Sequence, residues 1–500
     1  MTNSLKAILG VFLIVLSAYA FLAGGHYGGD AFNNYLTTQS LVLDRDIAIY
    51  DRPFEIKEVQ TDASQGVPGK DGKRYSAYGM GMPLLQVPFF LVGMAISFFM
   101  KDLPANYVTF FCVSFTNVFL SAVNVVLLLV LLQKLGVKLK EAITLSLVYA
   151  FSTMALVYSK SGFPEPALVT FMLIAMVSLF SYVKEKKGMG YLVISGAALG
   201  FMAMIKVYTV ILAPAFLVYF LSASGARRRY AWVPMIAFLA VLSVDLWANF
   251  IRSGNILVTG YGHVITQAKY GNRFLKALYY YWFSSGKGFF FYNLPLILGL
   301  FCWGQVRDRN KREFYFIVSV IMIYVVFFAY FFKRGSIFSW GPRYMFPVIP
   351  LFVVLASDVF RKKMLLRVFA GLAALGFFVQ LPAVLAHYSS YINFVVESLK
   401  MPEYAINYIP DLTPIKGAWA ILVSVVKTYV TGQGGSFVFN PDIMFVRPLN
   451  VPLAGYDMAD LWWINLTRAY PNMTYAVVLG IIFLLFVFVL GAVKVRDGSR

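Results

Sequence analysis

Two carboxylates, Asp30 and Glu165, stand just past the ends of long apolar runs, and two cations, Lys206 and Arg343, stand in comparable places further along the chain. A carboxylate can orient and deprotonate a hydroxyl as general base. Lys and Arg can hold a phosphate and stabilise it as a leaving group. Together these are the parts needed to break a sugar–phosphate bond in a lipid-linked donor. Each residue also has a plainer reading. Asp30 suits a hydrated helix terminus, and Glu165, between Pro164 and Pro166, suits a first helical turn where acids meet the macrodipole. Arg343, after Trp340-Gly-Pro, suits the anchoring of a helix start. Lys206 is harder to dismiss: the run Gly200 to Pro214 is otherwise apolar, so its ammonium needs a partner or must snorkel.

What must position these groups is a membrane-embedded scaffold. The 500 residues are 60% hydrophobic, 17% aromatic and only 13% charged, with a mean hydropathy of +0.71. That composition belongs to a polytopic all-α membrane protein. The net charge of +20 does not indicate nucleic acid, because most Lys and Arg fall in short loops beside apolar runs, where they act as orientation signals. Cys112 and Cys302 lie inside apolar runs and read as packing residues. The run Leu5 to Leu22 reads as a first transmembrane helix, since more spans follow and no cleavage site stands out.

Runs long enough to span occur near 5–24, 106–133, 142–160, 166–183, 189–206, 207–224, 231–250, 289–306, 314–332, 344–360, 365–386 and 474–493. With those as spans, the basic clusters around Lys134, Lys184, Arg227, Arg307, Arg361 and Lys494 all fall on the side of Lys6, the cytoplasmic side by the positive-inside rule. The run Pro83 to Met100 would invert everything after it if it crossed. It is read as interfacial or re-entrant, which Pro83 and Pro88 suit; a thirteenth span is the alternative. The expected organisation is a transmembrane module over 1–386, with outer loops at 25–105 and 252–288. An extracytoplasmic cap over 387–473 follows, then a last span and basic tail over 474–500.

On the outer face, Asp30 is followed by Tyr35, Asp44-Arg45-Asp46 and Arg52. The two acids flanking Arg45 read as local loop pairs. Asp245, inside a span near its outer end, reads as a buried hydrogen-bonded acid or a cavity group. Only three histidines exist and His26 and His387 have no ligand-like spacing, so metal binding by histidine is not expected.

Six motifs occur in an order that resembles a known family: Asp30 after the first span with an aromatic-rich loop; Tyr75-Ser-Ala-Tyr78-Gly-Met-Gly-Met-Pro83; Phe163-Pro-Glu165-Pro; Gly200-Phe-Met-Ala-Met-Ile-Lys206; Asn249-Phe-Ile-Arg252 through Tyr261-Gly with Phe283-Ser-Ser-Gly-Lys287 through Tyr292-Asn-Leu-Pro; and Trp340-Gly-Pro-Arg343-Tyr344. The chain resembles the bacterial members of glycosyltransferase family 39 and the aminoarabinose transferases, which use polyprenyl-phosphate-linked sugars. The resemblance implies a GT-C fold with about 12–13 transmembrane helices in a bacterial inner membrane, its site facing the periplasm. By position it implies Asp30 as general base and Glu165 as the second cavity acid. Lys206 and Arg343 would bind the donor phosphate, with Tyr344 and Lys287 beside it, and Tyr35, Arg52, Tyr78, Asp245, Tyr261 and Tyr292 would line the cavity. Relatives often carry an acid directly after the first Asp and a Lys or Glu before the interfacial helix. Here Ala31 and Ala77-Tyr78 stand in those places, leaving Arg45, Arg52 or Arg74 to supply a phosphate contact.

The reaction implied is transfer of a monosaccharide, with inversion, to an extracytoplasmic acceptor hydroxyl on lipid A, another envelope glycan or a protein. No cofactor is required, although an acid-lined site leaves room for a divalent cation. A transporter or flippase of lipid-linked sugars is the alternative, since charged residues in membrane cavities also mark transport paths.

Overall fold

The computed structural model describes residues 3–25, 29–50, 66–260, 273–331, 338–402, 404–439 and 449–499. The chain is an all-α polytopic protein. In hydrocarbon each backbone N–H and C=O must be satisfied within its own segment, so the apolar runs fold as helices. The main ones are α1 (Asn3–Phe21), α2 (Gly29–Leu43), α3 (Gly81–Phe99), α4 (Ala105–Lys134), α5 (Leu139–Ser152), α6 (Glu165–Val183), α7 (Gly190–Ile205), α8 (Ala213–Ala223), α9 (Trp232–Ser253), α10 (Phe274–Trp282), α11 (Lys311–Tyr330), α12 (Lys363–Leu385), α13 (Tyr388–Glu397), α14 (Pro414–Thr431) and α15 (Thr474–Ser499).

Among the described residues, nine helical stretches are long and apolar enough to cross a membrane, and Gly190–Ile205 and Val207–Ala223 are shorter apolar ones. Two of the expected spans come out broken. The 142–160 run divides at Thr153 into α5 and the turn Ala155–Tyr158. The 289–306 run divides into Phe289–Tyr292 and the 3-10 stretch Leu294–Leu300, where Pro295 supplies no amide donor.

The basic clusters converge at one end of the bundle. Lys184 Nζ donates to the Lys134 carbonyl at 3.0 Å and to Asn310 Oδ1 at 2.5 Å. Arg227 reaches the carbonyls of Tyr182 and Lys187, and Lys134 pairs with Glu185 at 2.5 Å. The order α4 down, α5 up, α6 down that brings these loops together leaves Asp30, Glu165, Lys206 and Arg343 at the opposite end.

Helix α3 meets the length and hydropathy of a span, yet its two ends lie away from the basic face. Gly81 at its start packs on Ile205, the end of α7 beside Lys206, and its far end turns through 100–104 into the start of α4. Gly93 lies against Thr109 and Cys112, and Phe89 against Phe119, so α3 runs antiparallel along the half of α4 away from Lys134.

A second hydrophobic cluster, with Tyr391, Phe394, Ile406, Ile421 and Phe437 buried in it, forms from α13, α14 and the segments around them. Strands Ser436–Phe439 and Leu449–Pro452 pair antiparallel beside it. This layer is tied to the helices by a buried ion pair, Lys160 to Asp460 at 2.8 Å. The Trp462 amide adds a bond to the Ala23 carbonyl at 2.9 Å.

Candidate active site

Four chain segments deliver four charges to one spot. Asp30 lies in the first turn of α2, and Glu165 in the first turn of α6. The turn before α6 is fixed by α4: Asn117 donates to the carbonyls of Ser161 and Phe163, and Asn124 to that of Pro166. Lys206 stands at the break after α7, in extended backbone. Arg343 opens the next span after Gly341, which has φ +63°; a Cβ there would meet the Tyr292 ring at 2.8 Å. That left-handed turn is one only glycine adopts readily, and it explains the Trp-Gly-Pro-Arg order.

Arg343 is the hub. Its Nε donates to Glu165 Oε1 at 2.6 Å and its Nη2 to Asp30 Oδ2 at 2.5 Å. Lys206 Nζ lies 3.5 Å from the same Asp30 Oδ2. The Phe163 ring covers the guanidinium, 3.8 Å from its centroid. Glu165 and Arg343 are 1% and 7% exposed, a depth at which a charge must be paired. The four formal charges sum to zero. Glu165 Oε2 is buried with no hydrogen-bond partner among the described residues.

Tyr78 completes the arrangement. Its hydroxyl donates to Asp30 Oδ1, and its ring faces the Lys206 ammonium at 4.6 Å. The loop carrying it is clamped from α9: Asp245 Oδ1 accepts from the Met80 amide at 2.9 Å, and Arg252 donates to the Ser76 carbonyl. Gly79 allows the approach, since a Cβ there would stand 2.1 Å from the Met204 carbonyl oxygen. Burial alone would raise the Asp30 carboxyl. Arg343, Lys206 and the Tyr78 hydroxyl outweigh it and hold the group well below the usual carboxylate range.

The structure therefore joins Asp30, Glu165, Lys206, Arg343 and Tyr78 directly. Asp245 acts one step removed, on the Tyr78 loop. Lys287 is buried and donates to Ser339, four residues before Arg343; burial pushes its ammonium down to about 7. Tyr292 supports the same turn, its hydroxyl on the Gly286 carbonyl at 2.7 Å and its ring against Trp340. Tyr344 stacks on Phe328. Tyr35 packs α2 onto α4, its hydroxyl 2.8 Å from Thr109 Oγ1. Arg52 and Tyr261 lie outside the described residues. Asp46 pairs with Lys73 at 2.8 Å and with the Tyr50 hydroxyl, a partner brought in by the antiparallel pairing of Ala48–Ile49 with Arg74–Tyr75 instead of the adjacent Arg45. His387 is half-buried with its Nε2 enclosed, and desolvation pushes its imidazole down to about 4 despite Asp460. Among the described residues no group of three or more His, Cys, Asp and Glu side chains is placed to hold a metal ion.

Three contributors take their roles only through long-range folding. Phe163 belongs to a motif, but it serves as a platform for Arg343, 180 positions along the chain. Lys160 and Asp460 are 300 residues apart.

A family profile described as dolichyl-phosphate-mannose-protein mannosyltransferase matches residues 92–247. The crystal structure of ArnT from Cupriavidus metallidurans bound to undecaprenyl phosphate superposes with a TM-score of 0.50 at 16% identity, over 98% of this chain and 77% of that one. The chain has the GT-C glycosyltransferase fold. The apo form of the same ArnT gives 0.48 at 15% identity, over 98% and 76%. The apo oligosaccharyltransferase of Archaeoglobus fulgidus gives 0.43 at 13%, over 88% of this chain and 58% of that one. A sequence search of curated proteins finds no match.

Proposed function

We propose that this GT-C protein transfers a monosaccharide from a polyprenyl-phosphate donor to a hydroxyl on an extracytoplasmic acceptor, with Asp30 as general base. The observation that carries the reading is the buried cluster in which Arg343 and Lys206 meet Asp30, with Glu165 as second acid. The undecaprenyl phosphate in the ArnT crystal supports the donor class, and the mannosyltransferase profile supports the reaction class. The donor phosphate sits against Lys206 and Arg343, and the acceptor hydroxyl enters from the side of Asp30. The acceptor oxygen forms its bond to the anomeric carbon as the bond to the phosphate oxygen breaks. Asp30 takes the hydroxyl proton, and the electron pair of the broken bond leaves on the lipid phosphate. Attack opposite the leaving group inverts the anomeric centre. Lys287 supports the Arg343 turn through Ser339. The protein resides in a bacterial inner membrane with this end toward the periplasm, and 387–473 forms a cap over it.

The test is to incubate purified protein in lipid nanodiscs with labelled polyprenyl-phosphate sugars and candidate lipid A, glycan and peptide acceptors. Transfer with release of polyprenyl phosphate is expected. Labelled lipid crossing liposomes with neither transfer nor hydrolysis would overturn the reading in favour of a flippase.

A further inference from the structure

The cluster holds a conflict between two roles. In-line attack places the base and the leaving phosphate on opposite sides of the anomeric carbon. With reacting atoms about 3 Å apart and the base within about 3 Å of the hydroxyl, base oxygen and phosphate oxygen are roughly 6 Å or more apart. In the structure, however, Asp30 Oδ2 itself occupies Arg343 Nη2 and lies 3.5 Å from Lys206 Nζ. A carboxylate held by two cations is also a poor proton acceptor, since each stabilises its charged form.

We propose that Asp30 and the donor phosphate exchange at one seat: the phosphate takes Arg343 and Lys206 from Asp30, and Tyr78 is the positioning residue that retains the displaced carboxylate in reach of the acceptor. The inference rests on the polyprenyl-phosphate reading above. Three observations support it. First, Asp30 uses separate oxygens for the two sets of partners, Oδ2 for the cations and Oδ1 for the Tyr78 hydroxyl; losing one set leaves the other intact. Second, Glu165 holds Arg343 through Nε, so the guanidinium stays in place when Nη2 changes partner. Third, the Tyr78 loop is anchored independently of the cluster by Asp245 and Arg252. Charge favours the exchange as well. The donor phosphodiester carries one negative charge, and the released polyprenyl phosphate carries about two near neutral pH. That second charge develops on the phosphate as Asp30 takes the acceptor proton and becomes neutral. The base therefore gives up its claim on Arg343 and Lys206 in the step that increases the phosphate's need for them.

Among the described residues, the titratable and charged groups facing Asp30 are Arg343, Lys206 and Tyr78, with Glu165 behind Arg343. The test measures binding of polyprenyl phosphate alone to the full-length protein in nanodiscs. Asp30→Asn, which removes the competing charge and keeps the shape, is expected to bind about three- to tenfold tighter than wild type. Equal or weaker binding would overturn the exchange, because Asp30 would then be merely organising the cations. A second readout stays on the wild-type protein: polyprenyl phosphate should make a protonated-carboxyl infrared band appear at mildly acidic pH, absent in Asp30→Asn. No such band would contradict displacement. Tyr78→Phe is expected to lower kcat about tenfold or more, leave lipid-phosphate binding within about twofold, and shift the acidic limb of the pH–rate profile; unchanged kcat would remove Tyr78 from the proposal. If wild type binds no polyprenyl phosphate, and Lys206→Ala changes nothing, the donor reading itself fails, a result distinct from each of these.

Discussion

Replacing Arg343 by Met removes one side chain and strands two acids, and the structure shows how unequally. Asp30 would keep the Tyr78 hydroxyl and Lys206, and it is 16% exposed in its side chain. Glu165 would lose its ion-pair partner at 1% exposure, with Oε2 already lacking a hydrogen bond. Breaking a buried pair from one side costs about 3–5 kcal/mol, mostly because the remaining charge is left unpaired, so Arg343→Met should destabilise by that order. Glu165→Gln in the same background removes the stranded charge. The double variant should therefore be more stable than the sum of the single losses by about 2 kcal/mol, within the usual coupling range for contacting residues of about 0.5–3. The assay is a double-mutant cycle on unfolding by SDS in mixed micelles, read by tryptophan fluorescence. Additivity within about 0.5 kcal/mol would refute the assignment of Glu165 as the main counter-charge of Arg343.

Three further outcomes are expected. Asp460→Asn should cost about 3 kcal/mol or more, since Lys160 is 5% exposed and its carboxylate partner 3%; unchanged melting would show that the tie between the second hydrophobic cluster and the helices is not energetic. Gly341→Ala should destabilise by about 1–3 kcal/mol through strain at positive φ and overpacking against Tyr292, and should weaken polyprenyl-phosphate binding; an unaffected affinity would mean Arg343 does not depend on that turn. Asp30 has a depressed folded-state pKa, so its contribution to stability is complete above the unfolded value of about 3.9 and is lost only as pH falls through the lower folded value. The melting difference between wild type and Asp30→Asn should be flat from about pH 8 to 5, and a change within that window would contradict the pairing.

Much of the scaffold was legible because bilayer solvation imposes long apolar helices and charge asymmetry imposes their direction. The basic loops at Lys134, Lys184 and Arg227 meet as parity requires. Helix breaks were less legible: hydropathy is blind to where Thr153 or Asn293 interrupts an apolar run. Within the site, Lys206 stood out because an ammonium in an apolar run demands a partner, and that partner proved to be Asp30. What the sequence left hidden were contacts between residues far apart in the chain. Tyr35 and Tyr78 looked alike as aromatic loop residues, yet one packs α2 onto α4 and the other holds Asp30. The Asp46 pair with Lys73 required the strand pairing of Ile49 with Arg74, which a two-residue strand does not announce.

The most direct measurement is single-turnover sugar transfer from a labelled polyprenyl-phosphate donor, with released polyprenyl phosphate and product anomer quantified together for wild type and Asp30→Asn. A general base contributes about 10²- to 10⁴-fold. Wild type should give one inverted glycoside per lipid phosphate released, and Asp30→Asn should lose that factor while still binding the donor. Wild-type rates in Asp30→Asn, or a product with retained configuration, would contradict transfer by direct displacement with Asp30 as base.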